Sequence, residues 1–92
     1  MAQVVVTLKV MPESPDTDLG KIEAQAKAKI IAFSHSKDIR MSQEPIAFGL
    51  KALKIIFVMD ESKGSTDSLE EQIKTIESVN SVEAVDVRRA IG

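Results

Sequence analysis

The chain has 92 residues, no cysteine and a formal net charge of −2, from 12 basic and 14 acidic side chains. This near balance argues against nucleic-acid binding through phosphate neutralisation alone, which requires a basic surplus. Without cysteine there is no disulfide framework, thiolate nucleophile or zinc ribbon. The length and a hydrophobic content of 43% predict one domain over residues 1–92, with a core of its own.

Neither a membrane span nor a leader is indicated. The longest apolar run, residues 55–59, is too short to cross a bilayer. The N-terminal residues alternate in polarity and lack the basic-then-apolar order of a signal peptide. We therefore expect a cytoplasmic protein that does not contact a membrane.

The first part of the chain predicts a strand and a helix. Apolar side chains alternate over residues 3–11, the period of a strand. Pro12 and Pro15 end the extended segment, and Asp16 or Thr17 can cap the helix that follows. The apolar stripe of this helix recurs at steps of three and four and comprises Leu19, Ile22, Ala26, Ile30 and Phe33.

Two strands joined by a turn come next. Ile39 and Met41 alternate with polar residues within residues 35–44, as in an edge-like strand of modest hydrophobicity. Residues 46–49 lead into a turn, and residues 50–59 predict a third strand. That strand is apolar on both faces over residues 55–58, which places it in the middle of its sheet.

A second helix and a last strand complete the pattern. The helix begins near residues 65–67, where positions 67 and 70, or 68 and 71, have capping-box spacing. Its core stripe comprises Leu69, Ile73 and Ile76, with Val79 beside them. The last strand begins near Val82 and ends in Arg88 and Arg89, with residues 90–92 continuing past it.

The resulting order is β-α-β-β-α-β. Two β-α-β units with right-handed crossovers predict an α+β fold of the ferredoxin-like type. In this arrangement a four-stranded antiparallel sheet carries both helices on one face.

Catalytic chemistry is poorly supported by the residues. The only histidine, His35, lies between serines in a loop, and no base is evident for a serine nucleophile. The four glycines do not cluster into a phosphate-binding loop, and the acids around Gly64 lack calcium-loop spacing. We therefore predict no catalytic residue, no metal site, no cofactor and no enzymatic activity.

The fold leaves two binding functions open, a regulatory ligand-binding domain and an RNA-binding module. RNA-recognition domains of this shape stack bases on aromatic side chains of the central strands. The third strand instead presents Lys54, Ile56 and Val58 on one face, and the chain has three phenylalanines but no tyrosine or tryptophan. The chain therefore has few aromatic side chains on which RNA bases could stack.

Phe48 is the unusual residue, because it lies beside Gly49 at the tip of the predicted hairpin, where polar residues are the norm. Its ring either folds back onto the core or is an exposed anchor for a partner. Lys51 and Lys54 follow it closely, and both are equally compatible with a solvated strand face. Arg88 and Arg89 leave a cationic tip at the end of the last strand, and solvated charges are the plainer interpretation of them.

Three blocks in order resemble the guanine-nucleotide exchange domain of the translation elongation factor 1-beta family, in its free-standing archaeal-type form. They are VTLKVMP at residues 6–12, AFGLKALK at 47–54 and GSTDSLEEQI at 64–73. The resemblance implies a ferredoxin-like factor in translation elongation. That factor would promote GDP release from the GTPase elongation factor 1-alpha, binding it in its GDP-bound and nucleotide-free states.

The resemblance also implies roles for particular residues. Phe48, with Gly49, would wedge into the GTPase, and Lys51 and Lys54 would support the interface. Arg89, with Arg88, takes the place of a lysine that approaches the magnesium site, and Ala47 replaces a glycine of the tip. The mechanism requires the ring of Phe48 to be exposed, and the ring and the terminal arginines not to face opposite directions.

Overall fold

The computed structural model describes residues 3–36 and 38–89. The predicted order of strands and helices is confirmed. The elements are β1 (Gln3–Pro12), α1 (Leu19–Ser34), β2 (Arg40–Pro45), β3 (Lys51–Asp60), a 3-10 turn (Glu61–Lys63), α2 (Asp67–Lys74) and β4 (Val79–Arg89). The predicted continuation of the chain over residues 90–92 lies outside the described residues.

The four strands form one antiparallel sheet in the order β2-β3-β1-β4. The prediction that β3 is a central strand is confirmed, since it pairs with β1 on one side and β2 on the other. Leu53 of β3 lies opposite Val10 of β1, and Met59 lies opposite Val4. This register keeps the two central strands aligned along their whole length.

The core lies between the sheet and the two helices, which pack on the same face of it. Alternate residues of β1 and β3 point into this layer, and Leu8, Ile55 and Phe57 are completely buried there. The predicted stripe of α1 is confirmed, with Phe33 only half-buried at its end. Burying each such large side chain contributes roughly 1.5–3 kcal/mol, so this single cluster is the main source of stability.

The N-cap of α1 is Asp18, and the prediction of Asp16 or Thr17 is wrong by one or two residues. Asp18 Oδ1 accepts hydrogen bonds from the N–H groups of Gly20 at 3.0 Å and Lys21 at 3.4 Å. Thr17 is engaged elsewhere, because its Oγ1 accepts from the Ser14 N–H at 3.3 Å. A side-chain carbon at Gly20 would lie 3.2 Å from Asp18 Oδ1, so the cap itself favours glycine at this position.

The predicted capping box of α2 does not form. Thr66 is the N-cap residue, and its hydroxyl donates to Glu70 Oε2 at 2.9 Å instead of bonding to the backbone. The helix has only eight residues and ends at Lys74. It is half as long as α1.

β4 begins three residues earlier than predicted. Its first residue is Val79, which lies opposite Pro12 and is buried in the same core cluster as Leu69 and Ile73. The chain reverses at Ser78, whose φ is 72°. Further along, the register between β1 and β4 shifts after Thr7, and Val85 is left without a partner at this bulge.

Among the described residues, no helix is long and apolar enough to cross a membrane.

Candidate partner-binding surfaces

The turn between β2 and β3 presents Phe48 to solvent. The Leu50 N–H donates to the Ala47 carbonyl at 2.9 Å, closing a four-residue turn. Phe48 and Gly49 have φ values of 55° and 79°, the positive pair that a type I′ turn requires. The side chain of Phe48 is 96% exposed. The ring of Phe48 therefore does not fold back onto the core, and the prediction of an exposed ring is confirmed.

The backbone at Phe48 is strained. A bulky residue with positive φ is an outlier, because the left-handed conformation costs an L-residue about 1–2 kcal/mol. Such strain accumulates at binding and catalytic sites, where it is retained for function. An apolar ring that is both fully exposed and held in an unfavourable conformation gains nothing for the fold. The fold itself therefore gives no reason for an aromatic residue at this position.

Gly49 seats this turn against the loop that follows β1. A side-chain carbon at Gly49 would be 3.8 Å from Pro15 Cβ, an ordinary van der Waals distance. Glycine is therefore favoured at this position by the positive φ and not by a lack of space. The contact with Pro15 places Phe48 at the end of the molecule where α1 begins.

Lys51 and Lys54 lie on opposite faces of β3. Lys51 shares the helix-side face with Leu53, whereas Lys54 lies on the open face, where no helix packs. Across β1 and β3, Lys54 is directly opposite Lys9, a like-charge pair that costs stability. Lys9 was not singled out from the sequence, and only the strand register identifies it as a neighbour of Lys54.

Arg88 and Arg89 end β4, and each is paired with a carboxylate. The Arg88 Nε lies 2.9 Å from Asp86 Oδ2, and the Arg89 Nη2 lies 2.6 Å from Glu61 Oε1. Successive strand residues point to opposite faces, so Arg88 lies on the open face and Arg89 on the helix side. The predicted cationic tip thus consists of two ion pairs, one on each face of the sheet.

Phe48 and Arg89 lie at opposite ends of the sheet. Arg89 is opposite Val4, and Val4 is opposite Met59, eight residues along β3 from Lys51. At about 3.3 Å per residue this is a separation of roughly 25 Å, in a molecule 42 Å long. The two groups therefore do not share one contact surface. The mechanism implied by the resemblance then requires a partner that contacts both ends of the molecule at once.

The remaining polar residues of interest have structural explanations. His35 ends α1 with a φ of 56°, and its N–H donates to the Ile31 carbonyl at 2.8 Å. Asp60 caps the 3-10 turn by accepting a hydrogen bond from the Ser62 N–H at 2.9 Å, which lowers the pKa of its carboxyl. Within residues 3–36 and 38–89, no group of three or more histidine, cysteine or acidic residues could hold a metal ion.

Among the residues that the structure describes, no aromatic side chain lies on the open face of the sheet. Phe57 points into the core, Phe33 lies on α1 and Phe48 lies in the turn. Thr7 and Ile56, which face each other across the two central strands, occupy the middle of the open face. The residues that the structure describes there are aliphatic, hydroxylic or charged.

Together these features define the class of the molecule: a ferredoxin-like α+β domain whose unusual surface groups suit contact with a protein. Residues 5–90 match the family model described as the EF-1 guanine nucleotide exchange domain. The chain belongs to this family, and the resemblance seen in its sequence blocks is confirmed.

Proteins named Elongation factor 1-beta are similar to this chain along nearly their whole length. The one from Methanobrevibacter smithii is 45% identical over 89 residues, which are 97% of this chain and 98% of the relative. The one from Metallosphaera sedula is 43% identical over 90 residues, 97% of each chain. These relatives are archaeal, in agreement with the archaeal-type form that the sequence resembles.

Solved structures that resemble this chain inform on the fold alone. The de novo designed protein Foldit4 superposes with a TM-score of 0.65 at 16% identity, covering 98% of both chains. LarC2, the C-terminal domain of a cyclometallase, also has a TM-score of 0.65, at 12% identity, over 99% of this chain and 58% of that one. A shared fold at such identity carries no functional conclusion.

Proposed function

We propose that this protein is a guanine-nucleotide exchange factor that promotes GDP release from elongation factor 1-alpha during translation elongation. It binds the GTPase in both its GDP-bound and nucleotide-free states and acts in the cytoplasm. Residues 1–92 form one exchange domain. No covalent bond is made or broken, and neither a nucleic acid nor a membrane is contacted directly.

The observation that carries this proposal is the family match over residues 5–90. The exposed, strained Phe48 supports it independently, because such a residue is explained by a protein partner rather than by the fold. The regulatory and RNA-binding alternatives account for neither the family match nor the position of this ring.

Phe48 is the anchor in this mechanism. Its ring inserts into an apolar site on the GTPase, and aromatic anchors of this kind dominate binding energy at interfaces. Gly49 maintains the turn, and Lys51 lies beside it on the helix-side face. Lys54 lies three residues farther along β3, on the open face. This end of the molecule supplies affinity.

Arg89 acts at the other end, with Arg88 next to it. Bound GDP is held partly by Mg²⁺, which bridges the phosphates to the GTPase. A guanidinium brought towards that site repels the metal and competes for its ligands. The rigid sheet fixes this cation roughly 25 Å from the Phe48 turn, so the factor engages two separate places on its partner at once.

The energetic requirement is modest. Loosening GDP a thousandfold takes about 4 kcal/mol of coupling between factor and nucleotide. The coupling is reciprocal, so GDP weakens the factor's binding as much as the factor weakens that of GDP. The factor accelerates exchange in both directions, and the prevailing nucleotide concentrations decide the product.

Stopped-flow release of a fluorescent GDP analogue from elongation factor 1-alpha tests the proposal. We expect this protein to raise the release rate at catalytic concentrations. An unchanged release rate would contradict the proposed function. A thermal shift with a small metabolite would then favour a regulatory domain, and salt-sensitive RNA affinity would favour an RNA-binding module.

A further inference from the structure

The side chain of Arg89 extends past strand β1 to form an ion pair with the carboxylate of Glu61. β4 neighbours β1, and β1 separates it from β3, which leads into the turn that carries Glu61. Two strand spacings of about 4.8 Å each lie between them. Even so, Arg89 Nη2 donates to Glu61 Oε1 at 2.6 Å. The arginine is therefore directed over the end of the sheet rather than away from it.

The turn that carries Glu61 is itself well defined. Asp60 Oδ1 accepts from the Ser62 N–H at 2.9 Å, and the Gly64 N–H donates to the Glu61 carbonyl at 3.1 Å. Gly64 then leaves the turn with a φ of 78°, which suits glycine. These bonds on both sides of Glu61 hold its backbone in place, which limits the region that its carboxylate can reach.

We propose that Glu61 is a positioning residue for Arg89, holding the guanidinium in the orientation that enters the partner's magnesium site. This inference rests on the proposed function and extends it to a residue outside the matched sequence blocks. Glu61 does not contact the nucleotide or the metal. It acts by reducing the number of orientations that Arg89 explores before binding.

The N–H donors of Arg89 that are not bonded to Glu61 are still available to a partner. A guanidinium has five N–H donors in a rigid plane, and Glu61 accepts from one nitrogen. The Arg89 side chain is still 67% exposed, so the other donors are accessible to a partner. A group that is ordered before binding loses less entropy when the complex forms. The pairing thus prepares the cation without covering it.

The first experiment compares Glu61→Gln and Glu61→Ala with the wild type by stopped-flow GDP release. Exposed ion pairs contribute little, so we expect a maximal rate lower by about 1.5-fold to fivefold. The half-saturating concentration should not change, and the defect should disappear when magnesium is chelated. Asp38→Asn is the matched control, since it removes one acid from another exposed pair, with Arg40 at 4.0 Å; it should behave as wild type.

Two further measurements separate this inference from the proposed function. In an Arg89→Ala background, Glu61→Gln should have no additional effect on the rate. In the free protein at low temperature, the Arg89 Nη2–H resonance should move towards its random-coil position in Glu61→Gln but not in Asp38→Asn, and this needs no partner. If Arg89→Ala slows exchange while Glu61→Gln leaves rate and resonance unchanged, or accelerates exchange, the positioning role fails and the exchange function stands. If the wild type has no effect on GDP release, the proposed function fails.

Discussion

Phe48 and Arg89 lie at opposite ends of one antiparallel sheet, because Arg89 pairs with Val4 and Val4 pairs with Met59, far along β3 from the turn. The intervening strands are held by continuous pairing and by a single buried core. The distance between the two groups is therefore a property of the fold. A partner that binds both must offer two sites at that spacing.

Two separate contacts should contribute independently to affinity. We expect the losses of binding free energy for Phe48→Ala and Arg89→Ala to add within about 0.5 kcal/mol in the double variant, as for sites farther apart than about 10 Å. Titration of nucleotide-free elongation factor 1-alpha with the four proteins measures this. A coupling energy above about 1 kcal/mol would instead indicate that both residues act at one place.

Loss of the aromatic anchor should impair exchange without unfolding the protein. At sub-saturating factor, we expect Phe48→Ala to slow catalysed GDP release more than about tenfold. Because the side chain is 96% exposed, its loss removes little buried surface. Ile31→Ala is the control and should retain full activity. It shortens an exposed apolar side chain elsewhere in the molecule, on α1. Unchanged release by Phe48→Ala would rule out the anchor.

Replacing Phe48 with glycine should stabilise the fold while abolishing its contact with the partner. Glycine adopts positive φ readily, so Phe48→Gly should relieve strain and raise the free energy of unfolding by about 1 kcal/mol. Urea denaturation measures the change. By contrast, Phe57→Ala in the core should lower the stability by about 3–5 kcal/mol. If Phe48→Gly destabilises the protein to a similar extent, then the turn is held by contacts of the ring.

The effect of Arg89 should depend on magnesium. We expect Arg89→Ala to lower the maximal rate of GDP release in millimolar magnesium, with the defect shrinking when the metal is chelated, because the cation then has no metal to displace. Arg89→Lys is the comparison variant, since a compact ammonium keeps the charge but loses the planar set of donors. A deficit of equal size with and without magnesium would point to ordinary binding.

The turn before α2 should lose stability on acidification. The hydrogen bond from the Ser62 N–H holds the pKa of Asp60 below its ordinary value of 3.8. A carboxyl with a lowered pKa in the folded state stabilises it at pH values above 3.8, and this stabilisation is lost as the pH falls through the folded-state pKa. Asp60→Asn should therefore be less stable than wild type at neutral pH and equal to it in strong acid. Unfolding curves across this range test the convergence.

Local patterns identified most of the fold. The alternation in residues 3–11, the apolar stripe beginning at Leu19 and the doubly apolar run in β3 each reflect a period that a strand or helix imposes on its own sequence. Phe48 was recognisable as unusual, since an aromatic residue beside Gly49 conflicts with the polar character of a turn, but the sequence left open whether its ring is exposed. The short-range errors, at the cap of α1 and at the start of β4, arose where several neighbouring residues can serve equally well.

Sequence patterns account for the order of the elements, the faces that become buried, the family and the choice of candidate site residues. The positions of those residues relative to one another emerge only in the folded protein. Strand register placed Arg89 far from Phe48, set Lys9 against Lys54 and brought Glu61 to Arg89. These relationships depend on pairings between residues that are distant in the chain. No local period of a sequence records them, because they follow from how the strands align after the chain has folded.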